Sequence, residues 1–156
     1  MNFYSQPKKE FGFFSSSLLL LLSLNSAHAS GSLASVAGFG GFKNSHSQTH
    51  LALGVEGEVS MLPLIGATAF FERTNQDVPE SSAGIGLTLH PIPDFGLRLM
   101  AAPGVEWTDQ SSHLLLRVGA AYEFECGPLF WGPTFNVDFV AHSNNKVFGV
   151  LVGIGL

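Results

Sequence analysis

The chain has 156 residues, is 46% hydrophobic and only 12% charged, and carries 18 glycines and 14 phenylalanines. Soluble domains typically carry about 25% charged residues, so this composition points toward a membrane. The formal net charge of −5 argues against nucleic acid, whose binders are usually basic. Past residue 30 no apolar run approaches the roughly 20 residues of a spanning helix, which leaves a membrane protein built of strands.

The first element is an export signal. Lys8 and Lys9 precede an apolar segment, "FGFFSSSLLLLLSL" (11–24), and "AHA" (27–29) supplies a small-x-small cleavage pattern. A basic start, a short apolar core and a small-residue exit describe a signal peptide over 1–29; the segment is short for a membrane anchor. No cysteine near residue 30 offers a lipid attachment point. Removing Lys8, Lys9 and Glu10 leaves five basic against eleven acidic residues over 30–156, a formal charge of −6. Cys126 is alone, so no internal disulfide can form.

The remainder reads with period two, the signature of strands. The expected strands cover 34–42, 51–59, 65–72, 82–90, 95–101, 113–125, 133–142 and 146–156. In "HLLLRVGAAYEFE" (113–125) Leu114, Leu116, Val118, Ala120, Tyr122 and Phe124 form one face, against Leu115, Arg117, Gly119 and Glu123 on the other. In the last strand Phe148, Val150, Val152, Ile154 and Leu156 oppose Gly149, Leu151, Gly153 and Gly155. The opening strand, "ASVAGFGGF", is rich in glycine and the weakest of the set. Pro103 and Pro133 fall within or beside strands, where proline forfeits a ladder bond, and are expected to mark early ends or bulges.

The links between strands alternate. Those after the first, third, fifth and seventh strands are polar and mostly longer (43–49, 73–82, 107–112 and 142–146), while 60–63, 91–94 and 126–128 are short. Long extracellular loops and short periplasmic turns are the habit of outer-membrane barrels. The expected fold is therefore all-β: an eight-stranded, antiparallel, up-and-down transmembrane β-barrel following a cleaved signal peptide. Eight strands leave no wide channel, so side chains fill the lumen.

Two all-β arrangements differ in where the faces point. A soluble barrel turns its apolar face inward, and a membrane barrel turns it to lipid. The mixed face is dominated by Gly, Ala, Thr and Ser with almost no lysine, which suits a narrow interior better than a water-facing sheet. Arg98 and Arg117 lie on that face, and are expected to anchor a lumen ion-pair network with Glu56, Glu72, Glu123 and Asp138. Glu58, Glu106 and Glu125 are read as solvated rim residues, Lys43 as a loop residue and Lys146 as a strand start. Phe71, Trp107 and Phe148 fall near one set of strand ends and Phe95, Tyr122, Phe124 and Trp131 near the other, as two interfacial girdles would.

The segment "HLLLRVGAAYEFECGPLFWGPTFNVDFV", followed by "KVFGVLVGIGL", resembles the last three strands of small bacterial outer-membrane β-barrel domains, the eight-stranded relatives of the opacity and OmpA-like barrels. The resemblance implies a Gram-negative outer membrane, surrounding lipid and insertion by the barrel-assembly machinery. That machinery reads an amphipathic last strand ending in an aromatic; here the last residue is Leu156.

One segment invites chemistry. "AHSNN" (141–145) resembles the His-x-Ser-Asn signature of lipid A deacylase barrels, which makes His142 and Ser143 weak catalytic candidates. Adjacent strand residues point to opposite faces, and no partner acid is evident. "HSQTH" (46–50) spaces two histidines for a metal only on a helix, and this is a loop. No cofactor site is expected. The reading is a non-enzymatic, porin-like envelope barrel: a structural membrane component, or an adhesion scaffold acting through loops 43–49 and 73–82 toward a partner the sequence does not name. The alternatives are an outer-membrane acyl hydrolase and a soluble periplasmic barrel with an apolar ligand.

Overall fold

A computed structural model describes residues 32–45, 48–76, 78–92, 95–141 and 143–156, so the expected signal peptide lies outside the described residues. The strands are β1 (Ala34–Ser45), β2 (Gln48–Leu62), β3 (Ile65–Asn75), β4 (Ser81–Leu89), β5 (Leu97–Trp107), β6 (Ser112–Tyr122), β7 (Phe124–Cys126), β8 (Leu129–Val140) and β9 (Ser143–Gly155). Each pairs antiparallel with its chain neighbour. Short β7 continues β6, because both pair with β8 in one register: Ala121 faces Thr134 and Phe124 faces Trp131. The fold is thus an eight-stranded barrel.

Closure falls to the strand that the sequence makes weakest. β1 pairs with β9 from Ser35↔Gly155 to Asn44↔Lys146. The seam continues in the bonds Leu33 N to Leu156 O and Leu156 N to Ala34 O. The glycines of β1 serve this joint. A Cβ on Gly41 would lie 2.6 Å from Gly149 Cα and 2.8 Å from Phe39 Cζ, and one on Gly149 would meet the same ring at 2.6 Å. Glycine on both sides of the seam therefore makes room for Phe39 inside the barrel. Gly153 does the same for Phe130, whose Cζ would stand 2.4 Å from a Cβ there.

The prolines do not end their strands. Pro103 lies inside β5 and Pro133 inside β8, with no register shift at either. Each costs pairing on one side. The ladder between β4 and β5 skips the positions opposite Pro103 and Ala102, and the ladder to β8 skips Pro133 and Gly132. A residue without an N–H cannot complete the ladder. The second gap is what separates β7 from β6 at Glu123.

The connections are not sorted by length as the sequence suggests. At the end away from the chain termini, the outer end, they are residues 46–47, 76–80, 108–111 and 141–142; at the inner end they are 63–64, 90–96 and 127–128. The longest lies on the side expected to be short. The polar segments are largely absorbed into the wall: β1 and β2 run on to Ser45↔Gln48, and Asn44 Nδ2 donates to Thr49 Oγ1 at 3.1 Å across that extension.

The two faces part cleanly. Residues pointing outward are apolar and open, such as Leu53, Ile85, Leu87, Val118, Phe135 and Val152. Residues pointing inward include buried Glu72, Arg98, Arg117 and Asp138. Two apolar clusters share the interior with them, Phe130 with Leu151, Ala37 and Ala121, and Phe70 with Met100, Ala102 and Leu115. This inverts the soluble arrangement, in which charges are the residues least often buried. It is also opposite to what the soluble, ligand-holding alternative requires. A mid-barrel cavity beside Phe39, Phe70 and Arg117 holds only about 10 Å³, hardly one water.

Candidate functional site

The interior is organised around three cations. Nearest the inner end, Arg98 on β5 reaches both inward acids of β2. Its Nη1 pairs with Glu56 Oε1 and lies 3.4 Å from Glu58 Oε2. Its Nε lies 3.0 Å from Glu123 Oε1, an ion pair bent too far for a hydrogen bond. Glu58 also meets His90 Nε2 at 2.8 Å.

Arg117, on β6, occupies the middle. Its Nε donates to Asp138 Oδ1 at 2.6 Å and its Nη2 to Asp138 Oδ2 at 2.7 Å, while Nη1 stands 3.1 Å from Glu72 Oε2. The guanidinium carbon lies 4.1 Å above the centre of the Phe70 ring, a cation–π contact. The backbone sets this up, because Arg117 and Asp138 are register partners across β6 and β8.

The third cation is Lys43, which the sequence places in a loop. It lies within β1, is 2% exposed, and donates to Glu80 and, at 2.6 Å, to Glu106 Oε2. Asp138 Oδ2 is 3.8 Å away, which links this centre to that of Arg117. Continuing the alternation Ala37, Phe39, Gly41 by one step puts Lys43 on the inward face, and that signal was present in the sequence. Glu80 lies one residue before β4, where Thr74 N donates to its carbonyl oxygen, and it shares the inward parity of Ser82; the strand expected over 82–90 stops short of it.

All six residues expected in the lumen network face the interior: Arg98 beside Glu56 and Glu123, and Arg117 beside Glu72 and Asp138. Two acids read as rim residues are instead buried partners, Glu58 with Arg98 and His90, and Glu106 with Lys43. Their parity already placed them inward, but nearness to the strand ends masked it. Glu125 is exposed. In all, seven carboxyl groups and three permanent cations meet in these ion pairs.

Beyond Lys43 the outer end opens into a polar vestibule of about 350 Å³, lined by residues that include Gln48, His50, Glu80, Glu106, Ser143 and Asn145. Of the weak catalytic pair, His142 lies outside the described residues, as does His46 of the histidine pair in 46–50. Ser143 opens β9 and lines the vestibule. Among the described residues no three His, Cys, Asp or Glu side chains are grouped to hold a metal.

Both rims carry aromatics. At the inner end Phe95, Tyr122, Phe124 and Trp131 form a continuous arc with ring centres 5.4, 4.9 and 4.8 Å apart. Toward the outer end Phe71 meets Trp107 at 6.2 Å, and Phe42 meets Phe148 at 5.9 Å across the seam. Rings bridging apolar and polar zones are the expected furniture of a membrane interface.

No family model matches the chain, and no curated protein does. Solved structures do. The N-terminal β-barrel domain of Pseudomonas aeruginosa OprF superposes with a TM-score of 0.61 at 12% identity, covering 80% of this chain and 98% of that one. Neisserial surface protein A gives 0.60 at 7% identity, covering 79% and 96%. Ail, the attachment invasion locus protein of Yersinia pestis, solved with the heparin analogue sucrose octasulfate, gives 0.55 at 10% identity, with the same coverage of 79% and 96%. The chain therefore has the fold of the small eight-stranded outer-membrane β-barrels.

Proposed function

We propose that the chain is exported and resides in a Gram-negative outer membrane as a non-enzymatic barrel, a structural component whose outer rim also offers a surface for contact. The inversion of the two faces carries this reading: open apolar side chains outside, buried ion pairs inside. Lipid would cover the outer face, and a closed ladder satisfies the backbone where no water can. The assembly machinery would receive the β9 strand, whose outward side chains run from Phe148 to Ile154.

Contact at the surface would fall to the strand ends and the vestibule more than to long loops, because segment 43–49 is mostly strand. Ail was solved with a polyanion. The vestibule here presents Glu80 and Glu106, so a polyanion is not the ligand its charge favours.

Fractionation tests the location. The protein should sediment with the outer membrane and migrate faster unheated than boiled. Recovery from the periplasmic wash would overturn the reading.

A further inference from the structure

We infer that the inner end of the barrel is seated unevenly in lipid. The turn between β2 and β3, with Leu33 beside it, is sunk among the acyl chains of the adjoining leaflet, while the β5–β8 side stops at the headgroups. The inference rests on the membrane reading above and adds which inner turn the bilayer covers. Met61, Leu62, Leu64 and Leu33 are all open to the outside. They prolong the outward apolar column of β2, which includes Leu53, Val55 and Val59, down to the tip of the turn. No charged residue occurs between Glu58, which is buried inside, and Glu72. β2 also carries no aromatic ring to mark an interface. Across the barrel the pattern differs. There the rings of Phe95, Tyr122, Phe124 and Trp131 bound the apolar wall, and the exposed Glu125 lies beside them. Rings of this kind sit at the headgroups, and a carboxylate calls for water.

An independent observation comes from the backbone. In hydrocarbon, peptide groups must find partners within the protein, whereas a turn facing water has no such need. This turn is tied in on both sides. Ser60 N donates to Leu33 O at 3.0 Å, and His90 N donates to Leu64 O at 2.9 Å. Leu62 and Ile65 are partners across it. Pro63 stands at the tip and brings no N–H that would need an acceptor. Open apolar side chains on a tied-in backbone, continuous with the lipid-facing wall above, make acyl chains the occupant of this surface.

The test uses nitroxide labels on the full barrel in phosphatidylcholine vesicles. Leu62→Cys, Leu64→Cys and Val118→Cys are each made in a Cys126→Ser background. The native Cys126, exposed at the end of β7, reports the turn on the opposite side. Each label is exposed to dissolved oxygen and to a water-soluble nickel complex present on both sides of the bilayer. Labels at 62 and 64 should show the oxygen-to-nickel collision ratio of the label at 118. The label on Cys126 should show a ratio several-fold lower. Folding of each variant is checked by its heat-modifiable mobility. Ratios at 62 and 64 as low as that at Cys126, with 118 still protected, would overturn the inference and leave the membrane reading standing. A label at 118 that is open to nickel would overturn both. Protection at 62 and 64 that arises only when a periplasmic extract is added would assign the surface to a protein and overturn the inference as well.

Discussion

Arg117 grips Asp138 with two nearly equal hydrogen bonds, 2.6 Å from Nε and 2.7 Å from Nη2, and the aspartate is completely buried. The planar fork matches the carboxylate, so both charges are held at close to full strength where water is excluded. Removing one partner strands the other. Asp138→Asn should lower unfolding stability in urea by about 3–5 kcal/mol, the usual cost of breaking a buried pair. Arg117→Lys should also destabilise, because an ammonium cannot make both bonds and reach Glu72 as well. Unfolding midpoints in lipid vesicles check both.

The seam depends on small residues. Gly149→Val would drive a side chain into the Phe39 ring and the Gly41 backbone. Overpacking of this kind costs about 1–3 kcal/mol. The expected outcome is a reduced folded fraction after refolding, read as loss of the fast-migrating band. Gly149→Val combined with Phe39→Ala should recover part of it.

At the outer end, burial raises the affinity of Glu80 for a proton, but the adjacent Lys43 charge and the hydrogen bonds around the carboxyl outweigh this, and its pKa falls below the ordinary 4.5. A depressed carboxyl contributes stability above its unfolded pKa and loses it as pH falls through the folded value. Wild type should therefore be more stable than Glu80→Gln at pH 7. The difference should shrink below about pH 4.5 and vanish once the folded carboxyl is protonated. Urea unfolding of both proteins from pH 7 down to pH 3 measures it.

On the outer face, Val118 lies midway along β6 and is open. Val118→Arg should cost about 2–4 kcal/mol in a bilayer, the range for arginine at the midplane of a barrel. The same substitution at Leu114, near the outer end of β6, should cost at most about 1 kcal/mol. Equal costs at the two depths would place the belt elsewhere.

Much of the wall was legible because each strand carries its own evidence. A side chain in β8 points in or out by parity alone, and Thr134, Asn136 and Asp138 fall inward as their spacing requires. The inner network was partly legible for the same reason, since Arg98, Arg117, Glu56, Glu72, Glu123 and Asp138 all lie at inward positions. Periodicity ends the first strand at Phe42 and so leaves Lys43 in a loop. The β1–β2 hairpin in fact runs on to Ser45, and extension is a property of the pair and not of either segment. Glu80 falls in the segment 73–82 that the sequence assigns to a loop, and only the β3–β4 ladder, continued by the bond from Thr74 N to Glu80 O, carries it inward. The prolines end neither strand, because a strand in a closed sheet has a second neighbour, and a ladder lost on one side can be kept on the other.

The central claim is that the apolar face meets lipid and the charged face fills the lumen. Single cysteines along β6, in a Cys126→Ser background, test it most directly when each carries a nitroxide label and the protein is reconstituted in lipid vesicles. Labels at 116, 118 and 120 should collide with dissolved oxygen and resist a water-soluble nickel complex, and labels at 115 and 121 should collide little with either. Labels at 116, 118 and 120 that collide freely with the nickel complex would contradict the account.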